Sequence, residues 1–361
     1  MEKIGILTFQ NTLNYGAVLQ ALALEMKIKQ LGGNCEIINY HCMNIELREH
    51  FKFPQFGIDP IKYAKSVKSY LNNTKRKKMF KSFMKKNMLI SKEEYNKSNI
   101  KQANKYYNKF IVGSDMVWEL GITGGDTTFY LDFADANKRY SYAASLGVDK
   151  IDDKYIDICK TNLNKFKHIS VRETQAEDYL NTIIKNEVSV DIDPTLLHDG
   201  SFWEKYEEEP SYNPSKKYIL LYFLDKEGIE LETAKKIAKE KDYEIIILST
   251  SKEKIDGCTF IPNASVGEFL YYIHNAELVI TGSYHGMIFS MNYNTNFMYF
   301  NRANSTRMES IAKITNSTNR RLTKDSIPQI SCDFSTINNA INMVRMNSIK
   351  YLKSIVDDEK R

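Results

Sequence analysis

The stretch Lys3–Tyr40, KIGILTFQNTLNYGAVLQALALEMKIKQLGGNCEIINY, reads as one β-α-β unit. KIGILTF is an apolar run of strand length. GAVLQALALEMKIKQL repeats its apolar residues at helical spacing, Gly32-Gly33 stops that helix, and CEIINY is a second strand. The alternation resumes at KFIVGSD, RYSYAASLG, HISVRE with its helix TQAEDYLNTII, and VSVDIDPTLL. It returns beyond residue 217 with strands KYILLYFL, YEIIILST and AELVITG, separated by helices ETAKKIAKEKD, SVGEFLYYIHNA and YHGMIFSMNY. Between the two series, residues 199–217 (DGSFWEKYEEEPSYNPSKK) are acidic and contain Pro210 and Pro214, which reads as a linker. The expected fold class is therefore α/β: two doubly wound Rossmann-like domains, 1–198 and 218–330, facing a cleft. Residues 331–361 form an amphipathic helix expected to pack back on the first domain.

The composition, 42% hydrophobic and 26% charged over 361 residues, is that of a soluble globular protein of two domains. No apolar run reaches the length of a membrane span, and MEKIGILTFQ lacks the features of a secretory leader, so a cytoplasmic protein is expected. Five cysteines without a C-x-x-C pair and six dispersed histidines give no reason to expect a metal or a disulfide framework. The net charge of +5 conceals an asymmetry. Residues 61–110 hold fifteen Lys/Arg against two acids, and Tyr63, Val67, Tyr70, Leu71, Phe80, Phe83, Met84 and Met88 recur there at helical spacing. A basic helical insertion over 61–110 is expected. Its lysine face is open to three readings: a solvated surface, peripheral contact with an anionic membrane, or nucleic acid. No nucleic-acid motif accompanies the charge, so nucleic acid is not an expected partner.

Ligands of open α/β sheets bind beyond the carboxyl ends of the strands. That rule selects four polar turns. Asn14-Tyr15-Gly16 opens the first helix, where backbone N–H groups can meet an anion or a sugar hydroxyl, or where Asn14 simply caps the helix. It is neither G-x-G-x-x-G nor a Walker motif, which disfavours a nicotinamide cofactor and NTP hydrolysis. Gly113-Ser114-Asp115 with Trp118 suits a sugar, carboxylate on hydroxyls and indole on the ring face; the other reading makes Asp115 a cap and Trp118 core. Arg172 ends a strand beside Glu173 and Glu177, so on the residues alone a salt bridge is favoured over anion binding. In Gly282-Ser283-Tyr284-His285-Gly286 a histidine sits at a helix start between glycines that let N–H groups approach phosphate. The dipole there disfavours an imidazolium unless an anion offsets it, which suits a proton donor working with an anionic substrate, although a structural histidine remains open.

Taken together, NTLNYGAVLQALAL, FIVGSDMVW, RYSYAASLG, ISVRE, DIDPTLL and GEFLYYIHNAELVITGSYHGMIFSM resemble the polysaccharide pyruvyltransferase family, in the family's order and across most of the chain. The resemblance implies a fold similar to B-type glycosyltransferases with the site in the interdomain cleft. It implies phosphoenolpyruvate as co-substrate, no bound cofactor, and a cell-surface or capsular glycan, often lipid-linked, as acceptor. It makes His285 catalytic and Arg172 a catalytic donor ligand, with Gly282, Ser283, Tyr284, Gly286, Arg302 and Arg307 around the donor. Asn14, Tyr15, Gly16, Ser114, Asp115 and Trp118 would then face the acceptor. One departure stands out: the family commonly has aspartate before the serine, where this chain has Gly282. A nucleotide-sugar glycosyltransferase and a non-catalytic glycan-binding member are the alternatives.

Overall fold

The structure, a computed structural model, describes residues 2–50, 60–222, 228–249, 255–302 and 306–358, with the side chains of 48–50 and 60–73 outside the description. Tyr63, Val67, Tyr70 and Leu71 of the expected basic helix, and Asn304 and Ser305, therefore lie outside the described side chains. The chain divides into two compact units. Met1–Tyr70, Met84–Leu197 and Met343–Arg361 make the first, and Leu71–Phe83 with His198–Asn342 make the second.

The first unit contains β1 (Lys3–Leu7), α1 (Tyr15–Gln30), β2 (Asn34–Tyr40), α2 (Met43–His50), parts of α3 (Pro60–Asn87), β3 (Ile90–Tyr95), β4 (Lys109–Val112), α4 (Leu120–Thr123) and β5 (Arg139–Ser141). It continues through α5 (Asp153–Leu163), β6 (Ile169–Val171), α6 (Thr174–Ile183) and β7 (Val188–Val190). Five strands form one parallel sheet in the order β3-β2-β1-β4-β5, and β6-β7 is a parallel pair linked on through bridges Tyr140↔His168 and Ala144↔Val171. Central strands such as KFIV are buried throughout, as strands covered on both faces must be. Strand order reverses between β1 and β4, so the turns leaving those two strands occupy the switch point, where neither neighbouring crossover covers the sheet end.

The second unit contains α7 (Gly200–Glu204), β8 (Tyr218–Tyr222), α8 (Ile229–Lys241), β9 (Glu244–Leu248), β10 (Thr259–Ile261), α9 (Val266–His274), β11 (Leu278–Thr281), α10 (Tyr284–Tyr293), β12 (Phe297–Tyr299) and α11 (Thr306–Ile314). Its sheet, β10-β9-β8-β11-β12, is again wholly parallel and repeats the same permutation, with the switch point between β8 and β11. Two doubly wound parallel sheets are what the alternating apolar runs lead one to expect.

The final helix, α12 (Phe334–Val356), gives its residues from Met343 onward to the first unit. There Tyr351 donates to the Ser141 carbonyl at 2.9 Å, Ser348 Oγ accepts from Ile192 N–H at 3.2 Å, and Lys353 reaches the Leu31 carbonyl at 3.0 Å. The ammonium of Lys109, 1% exposed, donates to the carbonyls of Ile355 and Val356 at 2.9 and 3.1 Å. A cation at a helix C-terminus satisfies carbonyls that have no helical partner and opposes the dipole's negative end.

Two boundaries differ from expectation. Residues 61–110 are not one helical insertion: α3 ends at Asn87, and β3 and β4 belong to the sheet. The sequence of β3, ISKEEY, hides this because only Ser91 and Tyr95 are buried, so no apolar run marks it. Nor is 199–217 a bare linker. It carries α7, whose Trp203 is fully buried with its ring 5.0 Å from Phe289, and a Cβ on Gly200 would lie 2.7 Å from the Asn292 carbonyl oxygen. Phe202, Trp203 and Tyr206 stack on one another and outweigh the acids and prolines around them.

Beneath α12, Asp191 is 3% exposed, and burial raises its carboxyl above the ordinary 3.8 while the hydroxyls of Ser348, Ser170 and Ser189 oppose the shift. A raised folded value means that the folded protein binds this proton more tightly than the unfolded chain does. The stabilisation is complete below 3.8 and is lost as pH rises through the folded value. Asp191→Asn, neutral at every pH, should therefore gain stability relative to the natural protein from acid toward neutral pH. Thermal unfolding midpoints measured across that range check this, and a gap that fails to widen contradicts it.

Candidate functional site

In the second unit, β11 ends at Thr281 and α10 begins at Tyr284, so the polar turn 282–285 stands at that sheet's switch point. Ser283 is the N-cap, its Oγ accepting from Gly286 N–H at 3.3 Å, and Thr281 Oγ1 accepts from Ser283 N–H at 3.0 Å. His285 is the second residue of α10 and 8% exposed, with the Tyr284 ring set edge-on at 5.3 Å. The expected histidine thus lies at a helix start beyond a parallel strand. The glycines have other duties than those expected. A Cβ on Gly286 would meet Thr281 Oγ1 at 2.5 Å and Tyr222 Cδ1 at 3.1 Å, so this glycine lets α10 lie against β8 and β11, and its N–H is already bonded by the cap. At Gly282 a Cβ would meet Phe300 Cε2 at 2.7 Å and Arg302 Cδ at 2.8 Å, so Arg302 lies beside the turn. Arg302 is exposed and Arg307, second in α11, is half-buried.

In the first unit, Asn14 is exposed and caps α1, its Oδ1 accepting from Gly16 and Ala17 N–H at 2.9 and 3.3 Å. Tyr15 and Gly16 are buried within the helix start and are not surface ligands. Trp118, expected as a plate for a sugar, is core. It is 1% exposed, stacked on Tyr130 at 5.7 Å, and its Nε1–H donates to the Phe129 carbonyl at 3.0 Å. An indole so placed has no face left for a ligand.

Arg172, at the end of β6, has a side chain 1% exposed. Its Nε meets Glu173 Oε1 at 3.0 Å, and its Nη1 meets Asp193 Oδ2 at 2.8 Å and Ser114 Oγ at 3.3 Å. The acids are themselves fixed, Glu173 by Ser145 Oγ at 2.9 Å and Asp193 by Thr195 N–H at 3.0 Å. The resemblance made Arg172 a donor ligand. In the structure its guanidinium makes the salt bridge that the residues alone favoured, with Glu173 and Asp193, and acts as a buried strut. What it holds is the turn after β4. There Asp115, 6% exposed, adopts φ 78°, in the region that disfavours side chains, and its Oδ1 accepts from Met116 N–H at 2.9 Å. Strain of this kind persists only where the surroundings enforce it, and it concentrates at functional sites.

A cluster that the sequence reading passed over lies at the same sheet end. His41, just after β2, places Nδ1 2.6 Å from Glu46 Oε1, and Asn11 Nδ2 lies 3.3 Å from that nitrogen and also bonds Glu46. Phe9, Gln10, Asn11, Tyr40, Glu46 and Phe129 line a small hollow there. The signal was the pair H-x-x-x-x-E directly after a strand, inconspicuous because its Asn11 partner is thirty residues away. Among the described residues no three His, Cys, Asp or Glu side chains come together as a metal site.

The sequence profile of polysaccharide pyruvyl transferases matches residues 14–304. The chain belongs to the polysaccharide pyruvyl transferase family. Membership makes it a transferase with a polysaccharide-linked role. No curated protein matches it by sequence. Among solved structures, a putative UDP-N-acetylglucosamine 2-epimerase from Listeria monocytogenes is 10% identical, with a TM-score of 0.51 over 98% of this chain and 90% of that one. A UDP-GlcNAc 2-epimerase from Methanocaldococcus jannaschii, in complex with UDP-GlcNAc and UDP, is 12% identical with a TM-score of 0.47 over 96% and 93%. The spinosyn rhamnosyltransferase SpnG is 12% identical with a TM-score of 0.43 over 99% and 96%. At such identities the likeness is one of fold.

For this transferase the ion cluster makes a sharp prediction. Arg172→Ala leaves Asp193 and Glu173 buried without a counter-charge and should cost about 3–5 kcal/mol of stability. Denaturant unfolding measures it, and a loss below about 1 kcal/mol would show that the strut matters little. Gly286→Ala should destabilise by roughly 1–3 kcal/mol through the contact with Thr281.

Proposed function

We propose that the protein moves the enolpyruvyl unit of phosphoenolpyruvate onto a sugar of a cell-surface or capsular polysaccharide precursor, as a pyruvate ketal. The observation that supports this reading most is family membership across 14–304 together with a histidine at the α10 start. Protonation of the donor's methylene carbon makes C2 electrophilic, and a sugar hydroxyl adds there and gives up its proton to a base. A second hydroxyl of the same sugar then displaces phosphate from C2, and its proton leaves with the products. Two C–O bonds to sugar form, and the C2–O bond to phosphate breaks.

The residues divide these tasks. His285 delivers and recovers the proton. Arg302, beside Gly282, and Arg307 meet the carboxylate and phosphate charges, because Arg172 is enclosed by Asp193 and Glu173. Ser283 and Tyr284 shape the donor turn. Asp115, held by the Arg172 strut, and Asn14 serve the acceptor. Phosphoenolpyruvate as donor supports a cytoplasmic reaction, and among the described residues no helix is long and apolar enough to cross a membrane.

Phosphate release from phosphoenolpyruvate with a panel of glycan acceptors tests the reaction. His285→Ala should lower turnover by on the order of 10²–10⁴ with an unchanged unfolding midpoint, and turnover near the natural level removes the histidine from the chemistry. Arg302→Ala should weaken the donor's apparent affinity by roughly tenfold, as loss of a charged hydrogen bond does. Thermal stabilisation by a nucleotide sugar but not by phosphoenolpyruvate would replace this reading with glycosyl transfer.

A further inference from the structure

Helix α3 carries ten Lys/Arg and no Asp or Glu over Pro60–Asn87. Its described half is sharply two-sided. Phe80, Phe83 and Met84 are buried, and Arg76 lies against the Phe80 ring at 5.3 Å. Lys75, Lys78, Lys81, Lys85 and Lys86 are all exposed on the opposite side, where Ser82 joins them. None of these five lysines has an ion pair or hydrogen bond among the described residues. Leu89, two residues beyond the helix end, is 48% exposed.

An ordinary solvated helix face mixes signs, because i,i+4 Glu–Lys pairs stabilise the helix and like charges repel. Elsewhere in this protein that mixing is visible, as in Glu25–Lys29 and Lys353–Asp357. On α3 it is absent, so the face bears self-repulsion that an anionic surface would relieve. From this geometry we propose that the Lys75–Lys86 face of α3 docks the protein on an anionic phospholipid bilayer.

Three features favour lipid over nucleic acid. The exposed cations are all lysines, compact point charges suited to a diffuse charged plane, whereas bidentate phosphate recognition favours arginine. The face exposes no aromatic ring on which a base could stack. Leu89, just beyond the helix end, is exposed and can enter the headgroup boundary while lysine stems lie along it with ammonium groups in water. Each lysine near an anionic leaflet adds attraction that salt screens. This inference stands apart from the transferase chemistry, since it concerns a surface without a catalytic residue.

Flotation of the full chain with vesicles tests it. Binding is expected to vesicles of phosphatidylcholine with phosphatidylglycerol, not to phosphatidylcholine alone, and should weaken as salt rises. The quadruple variant Lys75→Glu/Lys78→Glu/Lys81→Glu/Lys85→Glu should bind at least tenfold more weakly, with the same unfolding midpoint as the natural chain. Should it fail to fold, the same four positions changed to Gln should also lose binding. Equal binding to both vesicle types, or full binding by the Gln variant, overturns the proposal. So does a duplex oligonucleotide that displaces the protein from anionic vesicles at equal phosphate concentration. Phosphate release with a water-soluble acceptor should be unaffected by the four substitutions, so a failure here and a failure of the transferase reading are told apart.

Discussion

Arg172 between Glu173 and Asp193 is the interaction on which the first unit's sheet end depends. Taking a guanidinium and two carboxylates out of water requires charged hydrogen bonds, which Nε and Nη1 of Arg172 make. That requirement reaches outward: Ser145 fixes one acid, the backbone of Thr195 fixes the other, and Ser114 meets both the arginine and Asp193. One cluster thereby joins the ends of β4 and β6 to the segment after β7. It also accounts for Asp115, whose neighbour Ser114 is tied down on one side while Ser145 N–H bonds the Asp115 carbonyl at 3.0 Å on the other. The strained φ is the geometric result of being pinned at both ends.

The two units solve the same problem with the same topology. Each sheet reverses its order beside its first strand, and that reversal leaves one sheet end uncovered. In one unit the turns at the switch point carry Asn14, Ser114 and Asp115; in the other they carry Ser283 and His285. Chemistry concentrates there because a strand's backbone is satisfied by its neighbours up to its last residue, while the turn beyond it has polar groups to offer. The cap of α10 shows how few remain. Thr281 Oγ1 accepts from Ser283 N–H, Ser283 Oγ from Gly286 N–H and the Tyr222 carbonyl from Gly282 N–H, so both glycine amides are already bonded.

What could be read in advance follows from what a local pattern encodes. Apolar runs such as KFIV and YEIIIL announce buried parallel strands because both faces need cover, and the whole central part of each sheet was legible on that basis. ISKEEY and the three-residue FMY were not, since an edge strand buries only alternate residues and a three-residue strand is too short for a period. Burial of single side chains was the least legible. Trp118 beside Asp115 invites the picture of a sugar plate, but Tyr130 and the Phe129 carbonyl that enclose the indole are twelve and eleven residues away, beyond any local pattern. The His41–Glu46–Asn11 cluster failed for the same reason, being assembled from two crossovers. The position of His285 was legible because a strand, a cap and a helix start lie within five residues of it.

Gly282 gains a reason from its surroundings. In the family an aspartate commonly precedes the serine; here a Cβ would strike the Phe300 ring and Arg302. The Phe300 ring is 5% exposed and sits just after β12, so it cannot swing out without opening the core of that unit. Arg302 is exposed and carries a long side chain, so of the two contacts it is the adjustable one. A carboxylate at this position would not only need room that Phe300 fills but would also pair with the arginine. Its absence leaves that guanidinium beside the His285 turn without a competing carboxylate at position 282. The missing acid is thus tied to its neighbours: the ring of Phe300 and the side chain of Arg302 occupy the space a side chain at 282 would need.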